Sequence, residues 1–398
     1  MTKPKIVLIL VTILVLASLP LQAQAIPKAA KKESPLLKGA YRIDQDGWIY
    51  VHLEGTPFQI GYQNGWFTYD NIDVAYKANI HIWWDDPETP YFGDWWPDAR
   101  AISRIYIWPR LTGEMKAEIE GIAAGVKARG LKWDKWDILA FNAWGDISVY
   151  WDMYFNGPGH SSGRHGPPPR IHADDAGCSA FVATGSYTTD GEIVIGHNTW
   201  AGYADWAYCK VIIDLEPKKG YRIIYQTLGS CIWSGPDWIY NEAGLMLTET
   251  TLPDMYIYDP TGIPVFVRER YAMQYCSSID DFIHVMTYRN NGAYANDWLI
   301  GDAKTGEICS LELGCHQWDI IRTFDGFITS CNYPRGPNVR LETTYDWTDP
   351  TTSGYCRTQR WKQIFDTHTD NQPGDPGKHD IDVAAGMAFE SDHWDTYL

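Results

Sequence analysis

The sequence predicts an α+β fold in which antiparallel sheets are layered against helices. Three observations predict it: the chain before residue 178 carries mostly helical periodicity, the chain after it breaks into short strand-like runs, and helical patterns return between those runs and at the end.

Taken in order, Trp48 to Leu53 reads as the opening strand, with Glu54-Gly55-Thr56-Pro57 as its turn. Phe58 to Tyr69 starts a helix that carries Gly61 and Gly65. An aromatic-acidic tract follows, from Trp83-Trp84-Asp85-Asp86 to Trp95-Trp96-Pro97-Asp98. Beyond it, Met115, Ile119, Ile122 and Val126 fall on one helical stripe, with Thr112 as N-cap and Gly130 as the stop. Asp134 to Trp144 supplies a second helix for the same layer. Residues 156–176 hold Gly157-Pro158-Gly159, Pro167-Pro168-Pro169 and Asp174-Asp175, a composition that buries little apolar surface and predicts an exposed linker.

After Cys178 the texture is β-rich. Ala180 to Ala183 and Ile193 to Gly196 flank Asp190-Gly191 and predict a tight hairpin. Cys209 to Leu215, Tyr221 to Gln226, Leu245 to Thr250, Trp298 to Gly301 and Gly326 to Ser330 are further strands. Helices are expected at Val265 to Tyr275, Ile279 to Tyr288, Arg357 to Thr367 and Asp382 to Glu390.

Lys3 and Lys5, the apolar run Ile6 to Leu19 and the small-x-small site Ala23-Gln24-Ala25 predict an export signal over residues 1–25. The run is shorter than the ~20 residues that span a bilayer, so a secreted protein without a membrane span is expected. Residues 26–40 read as a lysine-rich connector and 41–398 as a single domain, divided at the cysteine into 41–177 and 178–398. A net charge of −17 argues against a nucleic-acid partner. In an exported chain the eight cysteines are expected to form mostly disulfides. Their spacing matches no metal motif, so neither metal nor cofactor is expected.

The chemistry converges on Gly177-Cys178-Ser179-Ala180, at the junction of the loose stretch and the hairpin. If the chain is cut there, Cys178 carries a thiol and an α-amine on one residue, with ordinary pKa values of ~8.5 and ~8. His197 lies on the far arm of the same hairpin, and adjacent antiparallel strands stand ~5 Å apart, so a conventional Cys/His pair is the competing scheme. Against it, Cys178 follows a loop and starts a strand instead of opening a helix.

These residues carry a resemblance to the N-terminal nucleophile hydrolases, and within them to the phospholipase B-like and penicillin acyltransferase-like proteins. The resemblance rests on Cys178-Ser179-Ala180 followed by His197-Asn198-Thr199-Trp200, on Glu120-Gly121-Ile122-Ala123-Ala124-Gly125, and on Thr248-Glu249-Thr250-Thr251. It implies a four-layer αββα sandwich. It also implies self-cleavage at Gly177-Cys178, followed by thioester catalysis on a small-molecule acyl substrate, amide or lipid. By the same resemblance Asn332 is the side-chain donor to the oxyanion, with Asn198 second, and Arg357 or Arg360 holds the nucleophile or a substrate head group. Trp200 and Thr250 line the substrate pocket. Two other readings compete: a phospholipase B-type lipid acyl hydrolase, and a glycan-active or non-catalytic binding protein using Trp83, Trp84, Trp95 and Trp96 beside Asp85, Asp86, Asp94 and Asp98.

Overall fold

The structure, a computed structural model, describes residues 34–83, 96–155, 177–200, 207–235, 237–368 and 381–392. The expected signal, most of the connector, Trp84 to Trp95 and the linker 156–176 lie outside these residues. Contacts divide the chain into Met1–Pro35 and Leu36–Leu398, and the fold below is that of the second unit.

Among the described residues twelve strands form two sheets. They are β1 (Tyr41–Gln45), β2 (Trp48–Gly55), β3 (Gly177–Thr184), β4 (Val194–Trp200), β5 (Val211–Pro217), β6 (Ile223–Thr227), β7 (Trp238–Asn241), β8 (Leu245–Thr251), β9 (Asn296–Asp302), β10 (Glu307–Leu313), β11 (Trp318–Thr323) and β12 (Gly326–Ser330). The large sheet runs β1-β2-β5-β6-β7-β8-β9-β10-β11 and the small one β12-β3-β4. Of the helices, α1 (Pro57–Trp83), α2 (Trp96–Ile102), α3 (Gly113–Ala128), α4 (Lys135–Asn142) and α5 (Ile147–Phe155) precede β3. The remaining four are α6 (Val265–Tyr275), α7 (Ile279–Thr287), α8 (Ser353–His368) and α9 (Val383–Glu390).

The two-residue period of the strands sets the layers. On one face of the large sheet Val51, Leu53, Val211, Ile213, Leu247 and Leu311 pack with Met273 of α6 and Phe282 and Met286 of α7. On its other face Leu299 and Ile308 meet Ala180, Val182 and Ile328 of the small sheet. The alternate residues Phe181 and Ala183 turn outward, onto Trp361 and Ile364 of α8 and Phe389 of α9. Helices, large sheet, small sheet, helices: this is the expected αββα order.

Two details differ from the sequence reading. The sheets are not wholly antiparallel, because β2 pairs with β5 in parallel, Val51 opposite Ile213. A parallel pair needs a long crossover, and five helices and two strands of the other sheet lie between these two strands. The β3–β4 connection is not a two-residue hairpin either. A 3₁₀ turn at Gly185–Tyr187 intervenes, followed by an isolated bridge from Thr188 to Ile381, so Asp190-Gly191 sits within a longer loop.

The glycines of the helical layer permit close approach. A Cβ on Gly61 would lie 2.0 Å from the Glu118 carbonyl oxygen, and one on Gly65 2.2 Å from that of Ile122. Reciprocally, a Cβ on Gly121 would meet the Phe58 oxygen at 2.3 Å, and one on Gly125 the Tyr62 oxygen at 2.2 Å. Thus α1 and α3 pack backbone against backbone, and the four-residue spacing of both glycine pairs follows from that single contact.

The expected disulfides are absent: all eight cysteines are described and all are free. They serve as small apolar fillers dispersed through the core, Cys231 among the helices, Cys276 and Cys309 against the large sheet and Cys331 beneath α8. Among the described residues no helix is long and apolar enough to cross a membrane.

Candidate active site

Cys178 is the second residue of β3 and lies opposite Thr199, with Ala180 opposite His197. Cross-strand partners and alternate residues share a face, so Cys178, Ala180, His197 and Thr199 all turn toward the large sheet. There they meet Asp237, just before β7, and the main chain of Glu249 in β8. The His197 Nε2 stands 3.8 Å from Asp237 Oδ2. The Asp237 and Glu249 carboxyls are hydrogen-bonded to each other, which requires one proton between them.

The backbone of Cys178 is held from the other side. Its N–H donates to Asn332 Oδ1 at 2.6 Å, and its carbonyl accepts from the Arg357 guanidinium. The same guanidinium donates to Asn332 Oδ1 at 3.0 Å and reaches the Ser179 hydroxyl at 3.4 Å. Asn332 is fixed in turn: its Nδ2 donates to the Thr251 carbonyl at 2.8 Å, and its N–H donates to the Thr250 hydroxyl at 3.3 Å. Asn332 and Asp237 both adopt left-handed backbone angles, φ 56 and φ 77. Such angles are sparsely populated for residues with a side chain, and Asn and Asp tolerate them best.

Burial dominates the electrostatics. It pushes the Cys178 thiol up to about 12, with the Glu249 charge adding and Arg357 opposing. It lowers His197 to about 4, so the imidazole is neutral. Glu249 is raised to about 7, chiefly by desolvation. Asp237 rises well above the carboxylate range, from desolvation first and the neighbouring Glu249 second. A buried thiol beside a neutral imidazole does not form the ion pair on which a conventional Cys/His enzyme relies.

The structure therefore sorts the sequence candidates. It brings together Cys178, His197, Asn332 and Arg357. Arg357, not Arg360, is the arginine at Cys178; Arg360 pairs with Asp392 at 2.7 Å instead. Asn332 presents its oxygen to Cys178 and accepts from that residue's N–H. Asn198 lies opposite Ser179, on the other face of the sheet, and its Nδ2 donates to the Glu390 carbonyl at 2.7 Å. Thr250 is fully buried, its hydroxyl hydrogen-bonded to that of Ser330, so it ties the two sheets together. Trp200 is 54% exposed at the rim, opposite Gly177.

Gly177 itself is less constrained than its position implies. A Cβ there would meet Trp200 at 3.6 Å and Arg357 at 3.7 Å, ordinary contact distances. Sequence reasoning missed Asp237, whose turn setting is shared by many solvated aspartates, and used Glu249 only as part of a motif. The signal that was available for Glu249 was an acid on the same strand face as Leu245 and Leu247. Of the aromatic-acidic tract, Trp96 packs edge-on against Tyr76 and tilted against Trp133 and donates to Asp137 at 2.9 Å, which anchors it to the helical layer.

Comparison with known proteins followed the same lines. An uncharacterized protein of Archaeoglobus fulgidus is 22% identical over 274 residues, 66% of this chain and 42% of that one. Phospholipase B-like protein F of Dictyostelium discoideum is 28% identical over 137 residues, 32% of this chain and 24% of that one. The matches thus span less than half the length of either relative. Among solved structures, a penicillin V acylase from Agrobacterium tumefaciens aligns with TM-score 0.22 at 14% identity, over 37% of this chain and 42% of that one. A conjugated bile acid hydrolase from Clostridium perfringens aligns with TM-score 0.33 at 13% identity, over 53% and 77%. At these scores the fold assignment rests on the layers and strand order above. A family model described as Phospholipase B matches residues 96–314, more than half of the chain and inclusive of Cys178, His197, Asp237 and Glu249. The chain belongs to the phospholipase B family of hydrolases.

Proposed function

We propose that the chain opens its own Gly177–Cys178 peptide bond and then uses Cys178 to cleave a linear amide or acyl ester. In the first step Sγ attacks the Gly177 carbonyl carbon, the C–N bond breaks and the Cys178 nitrogen takes a proton. Water then hydrolyses the thioester, leaving a Gly177 carboxylate and a free amine on the residue that bears the thiol. In the second role that amine accepts the thiol proton as Sγ attacks an external acyl group, and the acyl-enzyme is hydrolysed in the same way.

The observation that carries this reading is the two-point grip on the Cys178 backbone, nitrogen to Asn332 and carbonyl to Arg357. A structural cysteine has no need for its main chain to be held by an asparagine and an arginine from outside its own sheet. A neutral His197 supports it further, since the thiol then needs a base that arises only on cleavage. Membership of the phospholipase B family favours an acyl ester of a phospholipid as the external substrate, with an N-acyl amide as the second class. Export directed by residues 1–25 belongs to the same proposal.

Intact-mass and N-terminal sequencing of the purified chain, beside Cys178→Ala, test it. The expected result is a fragment beginning at Cys178 in the wild type and none in the variant. A wild type that stays whole yet hydrolyses a phospholipid or N-acyl amide would sink the free-amine mechanism.

A further inference from the structure

The face of Cys178 that meets the large sheet carries more donors than the reaction uses. One ligand atom each from Cys178, His197 and Asp237 lies within 4.8 Å of the others. The His197 side chain is 7% exposed and that of Asp237 1%. Yet among the described residues His197 Nε2 and Asp237 Oδ1 are buried with no hydrogen-bond partner. An unpaired buried polar atom costs ~1–3 kcal/mol, so two at one spot beside a thiol call for an explanation.

The histidine is set up to offer a lone pair there. Its ring hydrogen-bonds the Glu249 backbone carbonyl. Since Nε2 is the unpartnered nitrogen, Nδ1 carries that proton and Nε2 is left as a base aimed at Asp237 and Cys178. A backbone carbonyl behind the other ring nitrogen is the usual way a metal-binding histidine is oriented. Asp237 has the corresponding support from the Glu249 carboxyl.

We propose that Cys178 Sγ, His197 Nε2 and the Asp237 carboxylate form a binding site for a zinc-class divalent ion, with the fourth position open, and that the ion silences the thiol. Sulfur, imidazole nitrogen and one carboxylate suit zinc, whereas magnesium and calcium want oxygen alone. Bonds of ~2.0–2.3 Å around a tetrahedral ion put ligand atoms ~3.3–3.7 Å apart. The observed 3.8 Å between Nε2 and Oδ2 is close to that, and since no pair is farther apart than 4.8 Å, closing the remainder takes at most ~1.5 Å of side-chain movement. Binding replaces the thiol proton, released to solvent, with a sulfur–metal bond, and the proton shared by Asp237 and Glu249 stays on Glu249 so that Asp237 binds as the carboxylate; no electrons are transferred. One thiolate and one carboxylate then neutralise the 2+ charge inside a buried site. The site uses side chains that the uncleaved chain already has, so it stands independently of self-cleavage.

The experiment uses the full-length, chelator-treated chain and two probes. Cobalt(II) should give a sulfur-to-metal charge-transfer band in the near ultraviolet, and zinc should protect Cys178 from iodoacetamide while the other cysteines keep their reactivity, as read by peptide mass. Cys178→Ser should abolish the band, and His197→Gln and Asp237→Asn should each weaken zinc binding ~10-fold or more, with circular dichroism confirming that each variant is folded. Cys315→Ser, which removes a thiol elsewhere beside His316, should leave the band unchanged. A band that survives in Cys178→Ser, equal protection of all cysteines, no protection of any, or zinc that speeds hydrolysis would each overturn the proposal.

Discussion

The side-chain oxygen of Asn332 lies 2.6 Å from the backbone nitrogen of Cys178, across 154 residues of sequence. The nitrogen so held is the one that becomes the free amine if the Gly177–Cys178 bond opens. One acceptor therefore serves both states, fixing an amide N–H before cleavage and an amine after it.

Asn332→Leu removes that acceptor, whereas Asn332→Asp keeps it and also tolerates the left-handed backbone. Loss of a partner for a buried donor costs ~1–3 kcal/mol, which corresponds to a ~5- to 150-fold fall in the cleavage rate if the bond is needed in the transition state. Time-resolved intact mass should place Asn332→Leu well below Asn332→Asp. Equal rates would show that the hydrogen bond has no part in cleavage.

The two candidate arginines should separate cleanly. Arg357→Ala frees the Cys178 carbonyl and should block appearance of the Cys178 fragment. Arg360→Ala removes a half-buried, bidentate ion pair with Asp392 that does not touch Cys178, and should leave cleavage nearly unchanged even where it lowers the melting temperature.

Helix packing gives a stability prediction free of any functional assumption. In Gly121→Ala the new methyl would stand 2.3 Å from the Phe58 oxygen, so α1 and α3 must separate. Overpacking of this kind costs ~1–3 kcal/mol or more, and urea unfolding should register it. Gly113→Ala, at the start of α3 with no atom within 4 Å of the new methyl, is the control and should be neutral or slightly stabilising.

Glu390 provides the pH test. Both its carboxylate oxygens are buried without a partner among the described residues, and burial raises it from 4.5 to about 8, with Arg357 opposing. Because the folded chain binds this proton more tightly than the unfolded chain, its stabilising contribution is complete below pH ~4.5 and is lost as pH rises through about 8. Glu390→Gln should flatten the fall in stability between these limits, by an amount on the order of a few kcal/mol at pH 8. An unchanged slope in denaturant midpoints measured from pH 5 to 8 would refute it.

Much of the chain could be read from local pattern because local physics produced it. Thr112 caps α3 through Met115 N at 3.2 Å, Asp134 and Asp137 make a capping box on α4, and Val265–Tyr275 and Gly326–Ser330 form where periodicity placed them. Cys178 and His197 were legible for the same reason: they belong to one hairpin, and strand register alone puts them on one face.

What sequence could not supply was the set of partners drawn from elsewhere. Asp237, the Glu249 main chain, Asn332 and Arg357 come to the Cys178 hairpin from just before β7, from β8, from just after β12 and from α8. Their convergence depends on how two sheets stack and where a helix crosses them. The same dependence changed individual roles: Asn332 faces Cys178 with its oxygen because its amide nitrogen is engaged by Thr251, and Arg360 is drawn away by Asp392. Sequence by itself determined the elements, the layers and the candidate nucleophile, since periodicity, caps and strand register are short-range. Only the tertiary structure decided the site around that nucleophile, because a protonation state or a hydrogen-bond direction is set by burial and by neighbours far away in the chain.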